Sequence, residues 1–384
     1  MMKQILTLNG GSSSIKFALF GFASLTRILE GEIERIGLPG TALRMKSGGH
    51  HESKQVEVSG HKAAADLLME NLDRDALVAI GHRVVHGGQR YQSPHWIDRE
   101  MLEELQDLSQ FDPEHLPAEL ALIEDFQLRL PDVRQLACFD TAFHRGLPRV
   151  AQLLPIPRRY KAVRRYGFHG LSYQFLMEEL ARIGDPAAKG GRVILAHLGN
   201  GASLAAVLRG DPLDTSMSFT PASGIMMGTR SGDMDPGIAS YLMQKEGLTP
   251  EGYARVVNHE SGLLGVSETS SDMRDLLMRE KSDERASDAI ALFCYQVKKL
   301  IGSYAAALDG LDTLVFSGGM GENAPDIRQR ICDGLSFLGI SIDGMRNAGN
   351  DAVISNGRVV VRVMHTDEEL MIAKSVSSML AIQN

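Results

Sequence analysis

Cysteine is scarce. Three thiols, Cys138, Cys294 and Cys332, serve a chain of 384 residues. Their number is odd, their spacing is wide, and no pair has metal-ligand spacing. A disulfide-stapled scaffold is excluded. Each cysteine neighbours apolar residues, as small core residues of a reducing compartment do. Basic charge is also short, with 40 Lys and Arg against 48 Asp and Glu, a net charge of −8. That balance excludes a general nucleic-acid surface but not a small basic pocket for an anion. No apolar run approaches the roughly 18–20 residues needed to span a bilayer. The stretch Met1 to Leu6 reaches Asn9 and Gly10 too soon to be a signal h-region. The expectation is a cytoplasmic protein with no nucleic-acid and no membrane partner.

Several familiar site motifs are missing. There is no G-x-x-x-x-G-K-S/T loop, and Gly319-Met320-Gly321 lacks the third glycine of a dinucleotide fingerprint. The 12 histidines include no H-E-x-x-H and no His/Cys cluster of zinc spacing. Ser12 to Ser14 lack a G-x-S-x-G context, which argues against a serine nucleophile.

Glycine, by contrast, is plentiful at 39 residues, clustered in loops that follow apolar runs. The length suits about two domains. A weak internal repeat supports that division. Ile5-Leu6-Thr7-Leu8 leads into Asn9-Gly10-Gly11-Ser12-Ser13-Ser14 and then Ile15 to Phe20. Val193 to Ala196 leads into His197-Leu198-Gly199-Asn200-Gly201-Ala202-Ser203 and then Leu204 to Leu208. Both read as β-hairpins with Gly/Ser/Asn tips, and such tips offer backbone N–H groups and hydroxyls to a phosphate. Two matching hairpins near the starts of two halves predict duplicated domains facing a shared cleft.

Elsewhere strands and helices alternate, which predicts an α/β fold. Short strands are expected at Ile28–Ile36, Ala42–Met45 and Gln55–Val58, with a helix over His61–Leu72. A strand over Leu77–Val85, a helix over Pro117–Leu130 and a strand over Gln135–Phe139 follow. Helices are expected at Leu171–Ile183 and Ser287–Leu308, and a strand over Leu314–Phe316. Ser317 to Asn323 should turn into a helix at Pro325, its N-terminus favouring an anion. Val359–Val363 and Glu368–Met379 close the chain as strand and helix.

Four segments put charged residues beside glycine at strand ends: Gly81 to Gly88, Phe139 to His144, Arg164 to Gly170 and Met227 to Asp233. Arginine forks suit carboxylate and phosphate, and open α/β sheets bind ligands at the carboxyl ends of strands. Together the four predict an anion cleft.

These same segments carry a family. N-G-G-S-S-S-I-K at Asn9–Lys16, G-H-R-V-V-H-G-G at Gly81–Gly88 and F-D-T-A-F-H at Phe139–His144 resemble the acetate kinase family, which includes propionate and butyrate kinases. So do R-Y-G-F-H-G at Arg165–Gly170, H-L-G-N-G at His197–Gly201, Met227–Asp233 and Gly319–Asn323, in order from residue 5 to about 375. The resemblance implies two duplicated actin-like (sugar kinase/Hsp70/actin-type) ATPase domains around a central cleft. The first would be residues 1–141 with the C-terminal helix 367–384. The second, nucleotide-binding, would be residues 142–366. It also implies a homodimer that takes ATP and acetate, or another short-chain carboxylate, with Mg2+ or alternatively Mn2+.

By the same resemblance, Asn9 and Glu368 look like magnesium-side residues, and Lys16 like a nucleotide-binding residue. Arg83 and Arg230 look like carboxylate and phosphoryl clamps, Asp140 like an essential acid and His169 like a transition-state stabiliser. His197, Leu198, Gly199, Asn200 and Gly201 would form the nucleotide site. Asp272, Met273 and Arg274, with Gly319, Met320, Gly321, Glu322 and Asn323, would complete it. Val85, Phe168 and Pro221 would line an acyl pocket. The chain departs from the family at Pro113-Glu114-His115-Leu116-Pro117, at Pro221-Ala222-Ser223 and at Leu171 after Gly170. An added carboxylate near a carboxylate substrate would repel it. Two rival readings remain at this stage: a sugar kinase of the same fold with Asp140 as base, and a non-catalytic nucleotide switch.

Overall fold

The structure is a computed structural model that describes residues 2–11, 13–110 and 112–382. Ser12, at the tip of the first expected hairpin, lies outside the described residues, as do residues 1, 383 and 384 of the first expected domain. Two compact units are present. The first runs to Arg145 and takes up the chain again at Asp367; the second is Gly146–Thr366. Each is built on one sheet.

The first sheet contains β1 (Gln4–Gly10), β2 (Ser14–Gly21), β3 (Arg27–Glu34), β4 (Ala42–Ser47), β5 (His50–Gln55), β6 (Leu77–Val84), β7 (His95–Trp96) and β8 (Arg134–Phe139). Their order is β5-β4-β3-β2-β1-β6-β8-β7. The second contains β9 (Arg192–Leu198), β10 (Ala202–Leu208), β11 (Asp211–Thr215), β12 (Thr313–Ser317) and β13 (Val360–Val363), in the order β11-β10-β9-β12-β13. The hairpins β1–β2 and β9–β10 are both antiparallel. A third strand joins each hairpin antiparallel. Two further strands extend each sheet in parallel on the other side. The strand sequence β3-β2-β1-β6-β8 thus repeats as β11-β10-β9-β12-β13, the duplicated actin-like pattern.

The central strands read as continuous apolar runs because helices cover them. Ile5, Leu6, Leu8, Ile194, Leu195, Val315 and Phe316 are all buried. The C-terminal helix Glu368–Ala381 packs on β1 and β6. It approaches so closely that a Cβ on Gly81 would lie 2.3 Å from Ile372 Cγ2. Helix Glu284–Ala307 begins at Asp283, whose side chain accepts the Arg285 N–H at 3.1 Å. It buries Ala286, Ile290, Phe293, Val297 and Ile301 along one stripe. Cys138, Cys294 and Cys332 are all buried, and burial pushes their thiols up to about 12, 11 and 12.

Three expectations need correction. The strand expected over Gln55–Val58 is β5, five residues earlier, and every one of its residues is exposed. Its sequence HHESKQ has no apolar alternation; what places it is the Gly48-Gly49 pair, both at positive φ (54° and 85°), which closes a two-residue hairpin with β4. Gly318–Asn323 is already a helix, followed by a second helix at Pro325–Cys332. Finally, β7, helix Arg99–Leu108 and the short helices between Gly237 and Arg279 were not anticipated. Two of the latter, Gly237–Glu246 and Pro250–His259, bury no side chain.

Candidate active site

In the first unit, β6 and β8 run parallel with Val84 beside Phe139, so their carboxyl ends carry Arg83 and Asp140 to the same place. Arg83 Nε and Nη2 donate to Asp140 Oδ2 at 2.9 and 2.6 Å. Arg83 Nη1 donates to Glu119 Oε1 at 3.1 Å. Burial works against the arginine charge, but Asp140, Glu119 and Glu368 outweigh it, so the guanidinium holds its proton more tightly than usual. Asp140 is 1% exposed, and its Oδ1 has no hydrogen-bond partner among the described residues.

Glu119 was not singled out from the sequence. It is 2% exposed, on helix Leu116–Arg129, and its Oε2 accepts the Val85 N–H at 2.8 Å. Loss of water pushes its carboxyl up to about 8, against the pull of Arg83 and the Val85 N–H. A signal for it existed: Glu119 lies three residues after Leu116 and four before Ile123, on the apolar face. The glutamate of this stretch that meets Arg83 is Glu119. Glu114, by contrast, is half-buried.

Asn9 and Lys16 pair directly across β1 and β2. Asn9 Nδ2 donates to Glu368 Oε2 at 3.1 Å. Glu368 opens the C-terminal helix behind the Asp367 cap, whose side chain accepts the Leu370 N–H. Solvent still reaches part of Glu368, but burial of its carboxyl and then repulsion from Asp140 push it up to about 7. Lys16 is exposed. Val85, just past β6, is 1% exposed.

In the second unit, His169 takes φ 57° at the start of helix Gly170–Arg182. Its Nδ1 is 2.8 Å from Ser203 Oγ, and Ser203 in turn bonds the Tyr173 hydroxyl. His197 Nδ1 is 2.8 Å from Ser172 Oγ, which accepts from Thr366 Oγ1 at 2.8 Å. The two imidazoles lie 4.4 Å apart, centroid to centroid. Both Nδ1 atoms are thus fixed by hydroxyls, which sets the ring orientation. A Cβ on Gly201 would be 3.4 Å from His169 Nε2 and 3.8 Å from Arg230 Nη1, so the three converge. Arg230 Nη1 also reaches the Pro221 carbonyl at 3.4 Å. Ser203 and Tyr173 were missed, because a serine in a strand and a tyrosine in a helix announce nothing alone.

The loop His197–Gly201 meets two others. Gly228 donates its N–H to the Asn200 carbonyl at 3.0 Å, and a Cβ on Gly228 would lie 2.1 Å from Asn200 Oδ1. The same Cβ would be 3.3 Å from the Ser271 carbonyl, next to Asp272. Asp272 caps its helix through the Arg274 N–H at 2.8 Å and pairs with the exposed Arg274 side chain. Gly318, at φ 76°, brings helix Gly318–Asn323 against Leu198.

Some expected site residues turn inward. Leu198 and Met273 are core side chains, 0% and 3% exposed, so only their backbones are available to a ligand. Phe168 is likewise 1% exposed. Nor is the N-terminus of helix Gly318–Asn323 open to an anion. The Glu322 carboxylate folds back onto the Gly318 N–H at 2.8 Å and meets His365 Nδ1 at 2.9 Å. Arg165, in one of the four charged segments, spends its donors on the Ala151 and Thr215 carbonyls.

The Acetokinase family model matches residues 4–374. An acetate kinase of Bacillus subtilis (strain 168) is 40% identical over 98% of this chain and 99% of its own length. One from Thermoanaerobacterium thermosaccharolyticum is 41% identical over 98% of this chain and 99% of its own. Among solved structures, Porphyromonas gingivalis acetate kinase superposes with TM-score 0.88 at 37% identity, covering 98% of this chain and 100% of that one. A propionate kinase from Francisella tularensis gives TM-score 0.91 at 38% identity, covering 97% and 99%. These full-length matches make the chain a kinase. The chain belongs to the acetokinase family.

Proposed function

We propose that this enzyme transfers the γ-phosphoryl group of ATP to acetate, reversibly and in line, giving acetyl phosphate and ADP. The observation that carries the reading is the state of Arg83. Three of its five N–H donors are held by Asp140 and Glu119. One remains on each Nη nitrogen, the number a carboxylate takes in a two-pronged contact.

An ionised carboxylate needs no base to become a nucleophile, since its pKa lies near ~4–5. The chemistry lies in bringing an anion to an anionic phosphate. In this reading Arg83 holds the carboxylate, and Asp140 holds Arg83. Arg230 and His169 stabilise charge on the transferred group, with His169 oriented by Ser203. The backbone and side chains at His197–Gly201, Asp272–Arg274 and Gly319–Asn323 take the nucleotide, joined by Lys16. Val85, Phe168 and Pro221 bound the alkyl group, which favours acetate over propionate and propionate over butyrate. One methylene in an apolar pocket is worth roughly 1–3 kcal/mol.

Asn9 and Glu368 suit Mg2+. The described residues contain no cage of three or more His, Cys, Asp or Glu, but this ion characteristically takes one or two carboxylates plus phosphate and water. The unpartnered Asp140 Oδ1 and the raised Glu368 carboxyl fit a nearby cation. When bound, it would neutralise phosphate charge. The reading extends to a cytoplasmic homodimer. Leu292 and Tyr295, exposed on helix Glu284–Ala307, support the association, and light scattering after gel filtration would test it.

Hydroxylamine trapping tests the activity directly. Hydroxamate should form from acetate, ATP and Mg2+. Its absence with acetate, propionate and butyrate, together with phosphorylation of a sugar hydroxyl, would overturn the reading.

A further inference from the structure

Glu119 makes two contacts at once. One carboxyl oxygen receives Arg83 Nη1 at 3.1 Å and the other receives the Val85 backbone N–H at 2.8 Å. Arg83 is the group assigned to the substrate carboxylate, and Val85 the group assigned to its alkyl end. The bridge is buried, with the Glu119 side chain 1% exposed and that of Arg83 15%. A glutamate buried this deeply is held by specific partners or not at all.

We propose that Glu119 is a positioning residue that ties the carboxylate clamp at Arg83 to the pocket wall at Val85. The inference rests on the carboxylate-kinase reading of Arg83. Loss of water and the neighbouring acids also favour a proton on Glu119. Asp140 is bonded to Arg83, and Glu368 acts on the same guanidinium. With Glu119 also ionised, the single positive charge would face three carboxylates before any substrate arrived. A further carboxylate would then be repelled. With Glu119 neutral, Arg83 and Asp140 cancel and the two remaining donors are free for the substrate.

The other charged groups around Glu119 act the same way. Asp112, from the turn before its helix, and Asp140, at the end of β8, both disfavour a second negative charge. Asp112 is itself bonded to His115 Nδ1 at 2.9 Å. Arg83 opposes them by its charge, aided by the Val85 N–H, and desolvation outweighs both, leaving the carboxyl near 8. On the neighbouring helix His61–Glu70, Asp66 is engaged by Arg129 at the far end of the Glu119 helix.

The test is steady-state kinetics of the intact enzyme with Glu119→Ala and Glu119→Gln, using acetate, propionate and ATP between pH 6.5 and 9. Losing hydrogen bonds to a charged group weakens binding by roughly 10–100-fold. Glu119→Ala should therefore raise the acetate KM by about that factor and narrow the acetate-to-propionate preference, with the ATP KM unmoved. Glu119→Gln cannot ionise and keeps an acceptor for Arg83, but its NH2 meets the Val85 N–H donor, so it should recover part of the loss. Wild-type acetate KM should climb above pH 8, and in Glu119→Gln that climb should vanish. An Ala variant with wild-type acetate KM would overturn the proposal, as would a Gln variant as impaired as Ala. If the Ala variant does not fold, the proposal falls should Gln and wild type share one pH profile. Failure of the functional reading is distinguishable, since the wild type would then form no acyl phosphate.

Discussion

Glu322 folds its carboxylate onto the backbone N–H of Gly318, 2.8 Å away, at the start of the helix to which Glu322 itself belongs. The carboxylate thereby ties down the Gly318–Asn323 turn assigned to the nucleotide. Glu322→Ala should release the Gly318 N–H and cost about 1 kcal/mol of local cap stability. The ATP KM should rise roughly fivefold, in line with that energy, while the acetate KM stays constant. Initial-rate kinetics with each substrate varied will show whether the two separate. A change confined to acetate would remove this loop from nucleotide binding.

The two arginines should differ in what they leave behind. Arg83→Ala strands the buried Asp140 carboxylate and leaves the Glu119 carboxyl without its partner, and breaking a buried pair costs about 3–5 kcal/mol. Arg230 has contacts to a carbonyl and to a methionine sulfur among its partners. Both alanine variants should lose rate by ~100–1000-fold. Arg83→Ala should also drop far more in thermal midpoint, which scanning calorimetry reads. Equal midpoints would mean that Arg83 holds no buried charge in place.

His169 depends on groups that touch no substrate. Ser203→Ala removes the partner of His169 Nδ1, and Tyr173→Phe removes the hydroxyl behind it. A lost hydrogen bond of about 1 kcal/mol corresponds to roughly fivefold in rate. The expected outcome is a fall in kcat of that order for Ser203→Ala, a smaller one for Tyr173→Phe, and KM values near wild type. An unchanged kcat in both would mean that the ring is held elsewhere.

Stability should decline on both sides of a middle pH range. Glu119 holds its proton up to about 8, above the 4.5 of an ordinary glutamate. Its stabilising contribution is complete below about 4.5 and is lost as pH rises through 8. Buried His82 shows the opposite sign. Desolvation lowers its pKa from 6.5 to about 4, so its contribution is complete above 6.5 and is lost as pH falls through 4. Its Nε2 is 2.7 Å from Gln135 Oε1. Urea titrations from pH 4 to 9 should give a flatter alkaline arm in Glu119→Gln and a flatter acid arm in His82→Asn. Wild-type slopes in both variants would reassign the titrating groups.

The paired hairpins were legible because their signal is local: an apolar run, a Gly/Ser/Asn tip and a second apolar run, seen twice. Charge beside glycine at strand ends marked the four segments that hold Arg83, Asp140, His169 and Arg230, and the resemblance to the acetate kinase family picked out these four residues within them. The β4–β5 hairpin was misread by several residues because β5 buries nothing, so only the Gly48-Gly49 turn marks it. Glu119 was not singled out, because a lone glutamate on a helix ordinarily faces water. Its partners come from strand ends distant in sequence, and no window of residues contains them. Glu322 shows a third kind of limit. A helix start reads as an anion site in sequence, yet a side chain one turn later can fill it.

The helix Glu368–Ala381 closes the first unit with the last described stretch of the chain. It lies on β1 and β6, and it brings Glu368 to Asn9. During synthesis on the ribosome, β1 and β6 emerge more than two hundred residues before their cover does. The nascent first unit must therefore wait with an open apolar face while the second unit is made, although domains generally fold in order of emergence. A product truncated before Glu368 lacks both the cover and the acid beside Asn9. Such fragments would expose the hydrophobic face that quality-control chaperones recognise, so an incomplete enzyme should be cleared before it can bind substrate.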